Sequence, residues 1–199
     1  REMNIPDEEL KPLVDGWRKA NPRIVQFWRS VGDAAMKAVR ERTTVRAGKV
    51  TFCCKDGVLF AKLPSGRTLA YIAPRLETGR FGSAVITYQS YDKTEKAADE
   101  EEEAPVTRRW QREETYGPKI VENLTQAIAR DLLCAAMMNL EAAGYRICMH
   151  IHDEAVIEMP IGQGSLEEAC RLMAIAPVWA EGLPLRADGE DDLSFYRKT

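Results

Sequence analysis

The sequence predicts an α+β protein, and three observations carry that prediction. Short apolar-alternating runs separated by tight-turn residues fill positions 50 to 91. Apolar residues recur at helical spacing over two long stretches. A second hairpin pattern near residue 150 has an acidic tip, in "CMHIHDEAVIEMP", Cys148 to Pro160.

Taken in order, Asn21 reads as a cap and Pro22 as the first residue of a helix. Ile24, Phe27, Trp28, Val31, Ala35, Ala38 and Val39 form one apolar stripe along it, which core packing explains without any cofactor. Strands follow at Val50 to Cys54, Val58 to Leu63 and Arg67 to Ile72, separated by Lys55-Asp56-Gly57 and Pro64-Ser65-Gly66. Asp-Gly supplies the positive φ angles that a two-residue hairpin loop demands. Ala84 to Tyr91 is a further strand. Charge is then segregated: "DEEEEAP" (Asp99 to Pro105) reads as a solvated loop, and "VTRRWQR" (Val106 to Arg112) follows it. Trp110 among three arginines could lie along a phosphate backbone, although the default for such a stretch is plain solvent.

A long helix is expected from about Tyr116 to Ala143, with Ile120, Val121, Leu124, Ile128, Leu132 and Ala135 facing a sheet. Lys119, Glu122, Asn123, Gln126 and Arg130 make a polar stripe at i, i+3/i+4 spacing. Gly144 leads into strands at Tyr145 to Ile151 and Ala155 to Met159, joined at His152-Asp153-Glu154. Ser165-Leu166-Glu167-Glu168 is a capping-box pattern that starts a short helix to about Ala176. In the irregular tail, Trp179, Leu183 and Phe195 are the expected anchors.

Composition narrows the class. A chain of 199 residues holds one good core, with room for a smaller lobe. No apolar run approaches the roughly 18 residues of a membrane span, so no membrane partner is expected. Five cysteines, odd in number and without zinc-finger spacing, read as reduced thiols of a cytosolic protein. A net charge of −3 means that any basic surface is local. Arg1 stands where an initiator methionine would be, as in a processed or excised piece of something longer.

Three chemistries compete for His150, His152, Asp153 and Glu154. Two histidines two apart on a strand share a face, as in a zinc site, but no other histidine exists to complete it. His152 with a carboxylate could form an acid/base pair, though no nucleophile accompanies it. Carboxylates on a rigid tip suit Mg²⁺, a hard ion that takes oxygen ligands. A two-metal centre needs carboxylates from separate elements, and one hairpin supplies one arm.

The surrounding residues sharpen this. "HIHDEAVIEMP", preceded by "TYGPKIVENLTQAIARDLLCAAMMNLEAAGYRI", resembles the carboxy-terminal palm of family A DNA polymerases, the group of bacterial DNA polymerase I and its phage relatives. The likeness is to the prophage-type branch. "LKPLVDGWRKANPRIVQFWRSVGDAAMKAV" resembles the helices after the fingers helix, "AKLPSGRTLAYIAPRLE" the strands after them, and "APVWAEGLPLRADG" the branch's tail. About Thr94 to Thr107 looks like an insertion.

The resemblance implies an antiparallel palm sheet with a catalytic hairpin packed against helices. It places residues 1–45 in the fingers and 46–199 in the palm, with the acidic insertion at 94–107. It implies that Asp153 binds metal, with Glu154 the adjoining acid, and that His152 lies beside the primer terminus. Gln126 matches a glutamine that reads the minor groove, where all base pairs offer similar acceptors. Asn123, Lys119 and Arg130 extend that stripe as DNA contacts, while Glu122 stands where the wider family often has asparagine.

The expected partners are primer–template DNA, deoxynucleoside triphosphates, two Mg²⁺ ions and an amino-terminal part of the same polymerase. The resemblance implies the bacterial cytoplasm as the compartment and is compatible with a prophage gene. The family's Asp-Tyr-Ser motif and fingers helix appear nowhere in the chain, so the expectation places them upstream of Arg1. The isolated chain is accordingly expected to be inactive. The alternative is a non-catalytic nucleic-acid-binding module in which Asp153 is only an exposed turn residue.

Overall fold

The computed structural model describes residues 6–79, 82–91 and 110–191. The acidic insertion, Arg108, Arg109 and Phe195 lie outside those residues. The expected α+β class is what the structure has. The chain divides into two compact units, residues 1–63 with 68–123, and residues 64–67 with 124–199.

The first unit is an antiparallel meander carrying helices. Its strands are β1 (Thr44–Ala47), β2 (Val50–Lys55), β3 (Val58–Lys62), β4 (Thr68–Thr78), β5 (Ala84–Tyr91) and β6 (Trp110–Thr115), paired in sequence order. The expected Asp56-Gly57 turn joins β2 to β3, with both residues at positive φ (52° and 76°). Helix α2 (Pro22–Glu41) packs against β1 to β4, and α1 (Asp7–Ala20) precedes it. Phe52, Leu59, Ala61, Tyr71 and Ile86 from the sheet are buried, as are Val31, Ala35 and Ala38 from α2.

Two features differ from the sequence reading. Asn21 does not cap α2 through its side chain; its amide donates backwards to the Trp17 carbonyl at 2.9 Å and closes α1. The α2 stripe is buried only in its second half, for Ile24 and Phe27 remain exposed. They extend an apolar face that Leu10, Leu13, Val14 and Trp17 make on α1 at i, i+3, i+4 and i+7, and Trp17 stacks on Trp28.

Strand β4 runs six residues beyond Ile72, through a bulge. Ala73 adopts φ 48° there, and its N–H donates to the Gly57 carbonyl at 2.8 Å. Left-handed alanine is strained and persists only where its surroundings over-determine it. Arg112 on β6 provides that surrounding: its guanidinium donates to the Ala73 carbonyl at 3.0 Å and to the Thr87 hydroxyl at 2.7 Å. Of the basic stretch, then, Arg112 is occupied by the sheet, while Trp110 is exposed and meets Tyr91 edge-on.

Helix α3 (Gly117–Ala142) contributes its first residues to the first unit and the remainder to the second. It ends in a Schellman motif: Gly144 has φ 88°, Tyr145 N–H donates to the Leu140 carbonyl, and Gly144 N–H to that of Glu141. The chain thereby reverses into a hairpin of β7 (Arg146–Ile151) and β8 (Glu154–Glu158), which among the described residues pair only with each other. Ile147, Ala155, Ile157 and Met159 pack on a core of Leu140, Tyr145 and Ala169, the last from α4 (Leu166–Met173). Ser165 caps α4 as expected, accepting from Glu168 N–H at 3.1 Å. The Tyr145 hydroxyl, 2.9 Å from the Glu168 carboxylate, ties the start of the hairpin to this cap. A 3₁₀ turn at Val178–Ala180 follows, with Trp179 half-buried and Leu183 44% exposed, so Leu183 is a poorer anchor than expected.

Candidate nucleic-acid and metal site

Two residues, His152 and Asp153, form the loop between β7 and β8, and Ile151 pairs with Glu154 directly below them. His152 takes φ 53°, the left-handed conformation that this kind of loop requires and that Asn or Gly normally fills. A histidine there costs about 1 kcal/mol or more. In return it holds the turn to two residues and leaves its ring and the Asp153 carboxylate exposed to solvent. Glu154 is half-buried at the first position of β8. The tip is short, stiff and braced from below by a core, so its carboxylate is presented with little entropy left to lose.

The zinc alternative loses its geometric premise. His150 lies on β7, but His152 sits in the left-handed turn, where alternation along a strand no longer fixes a shared face. Among the described residues, no three His, Cys, Asp or Glu side chains converge on one point. What remains at the tip is oxygen chemistry from Asp153 and Glu154, with the His152 imidazole next to them.

The polar stripe of α3 divides at Asn123. In the first unit, the Lys119 ammonium is 3.4 Å from the Glu114 carbonyl and 4.0 Å from the Glu113 carboxylate. The Asn123 amide donates to the Tyr71 hydroxyl at 3.2 Å, so this side chain has a structural duty. Burial raises the Tyr71 phenol above its ordinary value, and the Asn123 hydrogen bond partly offsets it. Gln126 and Arg130 belong to the second unit together with the hairpin, and both are exposed.

One constellation escaped the sequence reading. Asp131 follows Arg130 on α3 and is only 10% exposed. Its carboxylate accepts from the Ser65 hydroxyl at 2.5 Å and from Arg67 Nε at 2.6 Å. Arg67 Nη2 also donates to the Ala127 carbonyl, one helical turn back, at 2.7 Å. Asp131 is thus fully engaged and not a free metal ligand. The one available signal was the Pro-Ser-Gly-Arg turn itself, which local reasoning takes as mere punctuation.

Compared with known proteins, the chain is similar to a DNA polymerase of Bacillus phage SP02, at 45% identity over 189 residues. Those residues are 94% of this chain and 27% of the phage protein, so the chain spans about a quarter of the length of that relative. No family model matches the sequence, and no solved structure matches it. Among the described residues no helix is long and apolar enough to cross a membrane.

Proposed function

We propose that this chain is the part of a DNA-directed DNA polymerase that carries one carboxylate arm of the metal centre and the helix that reads the duplex beside it. The observation that carries the reading is the 45% identity to the phage DNA polymerase. With only 6% of this chain outside it, the similar region necessarily includes α3 and the β7–β8 hairpin. The finer assignment, to the palm of a family A enzyme, draws on the His152-Asp153-Glu154 turn and the exposed Gln126.

In this reading the parent extends a primer by attack of its terminal hydroxyl on a deoxynucleoside triphosphate, in the bacterial cell that hosts the gene. Asp153 fits a hard cation, since it offers oxygen donors at an exposed, braced tip, and with the half-buried Glu154 next in the chain it would hold Mg²⁺. When bound, paired Mg²⁺ ions stabilise both the attacking and the leaving oxygens of such a displacement. The protein's own task is placement. His152 lies against the primer terminus, and Gln126, with Arg130 along the same stripe, meets the duplex. A minor-groove amide senses the geometry of a base pair without choosing a sequence. Because a two-ion centre needs a carboxylate from a second segment, this chain alone does not catalyse the reaction.

The test is Asp153→Ala in the full-length polymerase. Nucleotide addition should fall by about a hundredfold or more, the scale seen on removing one electrostatic group from an active site. Affinity for primer–template should stay close to wild type, because the summed phosphate contacts dominate it. Undiminished extension would mean that Asp153 is an ordinary turn residue and the chain a nucleic-acid-binding module.

A further inference from the structure

We propose that Ser65, Arg67 and Asp131 act as a latch that sets the rotation of helix α3 about its axis, and so the angle at which Gln126 and Arg130 meet bound duplex. The proposal rests on the reading of α3 as the helix that faces primer–template DNA.

The turn at residues 64–67 belongs to the same compact unit as α3 from Leu124 onward, although the strands on either side of it belong to the other unit. Gly66 has φ 93°, which brings Ser65 and Arg67 onto the helix together. Each oxygen of Asp131 takes one donor: Oδ2 from Ser65 at 2.5 Å and Oδ1 from Arg67 Nε at 2.6 Å. The same guanidinium reaches the Ala127 carbonyl at 2.7 Å. Two points on α3, four residues apart, are therefore pinned to one rigid planar group.

That arrangement is specific to orientation. Ala127 and Asp131 are the residues immediately after Gln126 and Arg130, so the pinned row lies about 100° around the helix from the exposed row. Pinning one row at two heights leaves the other no freedom to roll or slide. A single ion pair would not do this, since it tolerates rotation about its one contact. A forked donor satisfying two acceptors constrains direction as well as distance. Arg67 is 42% exposed while Asp131 is only 10% exposed, so the guanidinium can be exchanged for another cation without leaving the carboxylate without a charged neighbour. A displacement of about 1 Å in a positioning group can cost on the order of a hundredfold in rate.

The experiment uses the full-length polymerase with Arg67→Lys, Gln126→Ala and the double variant, in single-turnover extension and in primer–template binding. Lysine keeps the charge but cannot span Asp131 and Ala127 at once. Arg67→Lys should slow extension about tenfold while changing DNA affinity less than twofold, an order-of-magnitude expectation from mispositioning. In the Gln126→Ala background it should slow extension no further, because the group it positions is gone. Ser65→Ala, which removes one donor and keeps the guanidinium, should show the same non-additivity with a smaller effect. If Gln126→Ala alone left extension intact, the duplex-facing reading of α3 would fall and the latch with it. If Gln126→Ala slowed extension but Arg67→Lys had no effect, or multiplied fully with it, the latch would be overturned while the reading of α3 stood.

Discussion

Replacing Gly117 with alanine adds one methyl group at the place where two helix backbones touch. A Cβ on Gly117 would overlap the Trp28 carbonyl oxygen of α2 and stand 3.5 Å from the Gly32 Cα. The obstacle is backbone and not a flexible side chain, so relief requires α2 and α3 to part, opening packing around the fully buried Val31 and Ile120. Overpacking of this kind costs roughly 1–3 kcal/mol, with the upper end expected where only backbone can yield. The helical gain of alanine over glycine returns about 0.5–1 kcal/mol. The net expectation is a loss of about 2 kcal/mol, which lowers the melting temperature by roughly 4–8 °C for a chain of this size. Gly16 on α1 is the control, since a Cβ there meets nothing within 4 Å and Gly16→Ala should raise stability slightly. Gly32→Ala should fall between them, its Cβ lying 3.2 Å from the Gly117 Cα. Thermal and urea unfolding of the isolated chain, followed by circular dichroism, reads all three. A Gly117→Ala protein as stable as wild type would refute the claimed contact between α2 and α3.

Three further outcomes are expected. Burial, with the Glu113 carboxylate it donates to, pushes the Tyr88 phenol up to about 12; a raised folded-state value means its stabilisation is intact below about pH 10 and lost as pH climbs towards 12. Urea titrations across that window should show Tyr88→Phe flattening the alkaline limb, and an unchanged slope would count against the raised phenol value. Ser165→Ala removes the cap of α4 and should cost about 1 kcal/mol in denaturant unfolding, whereas no loss would mean that Tyr145 and Glu168 hold the corner unaided. The purified chain should add no nucleotide to a primer in Mg²⁺ or in Mn²⁺, and template-dependent incorporation abolished by Asp153→Ala would overturn that expectation.

Local physics was legible in the sequence. The Asp56-Gly57 turn, the Ser165 cap, the Gly144 helix stop and the period of α3 each depend on residues within a few positions of one another, and each is found close to where it was expected. The acidic tip followed as well, but as His152-Asp153-Glu154; the structure shortens the loop to His152 and Asp153, because Glu154 pairs with Ile151 as the first residue of β8. Strands β1 and β6, the extension of β4 and the α1 face were not legible. A four-residue strand such as Thr44–Ala47 has too few positions for a period, and Trp110–Thr115 looks like a polar, charged stretch until its partner is known. Arg112 shows the reason most plainly. In sequence it belongs to a basic run with an outward look, yet in the fold it holds the left-handed Ala73, 39 residues away. The latch is the same case, joining Ser65 and Arg67 to Asp131 across 66 and 64 residues. Propensity, capping and turn chemistry act over one or two turns of chain, so sequence alone determined the helices α2 to α4, the hairpin turns between β2 and β4 and where the tip carboxylates sit. Which polar side chains face solvent and which hold the framework depends on contacts between distant segments, and only the tertiary structure decided that.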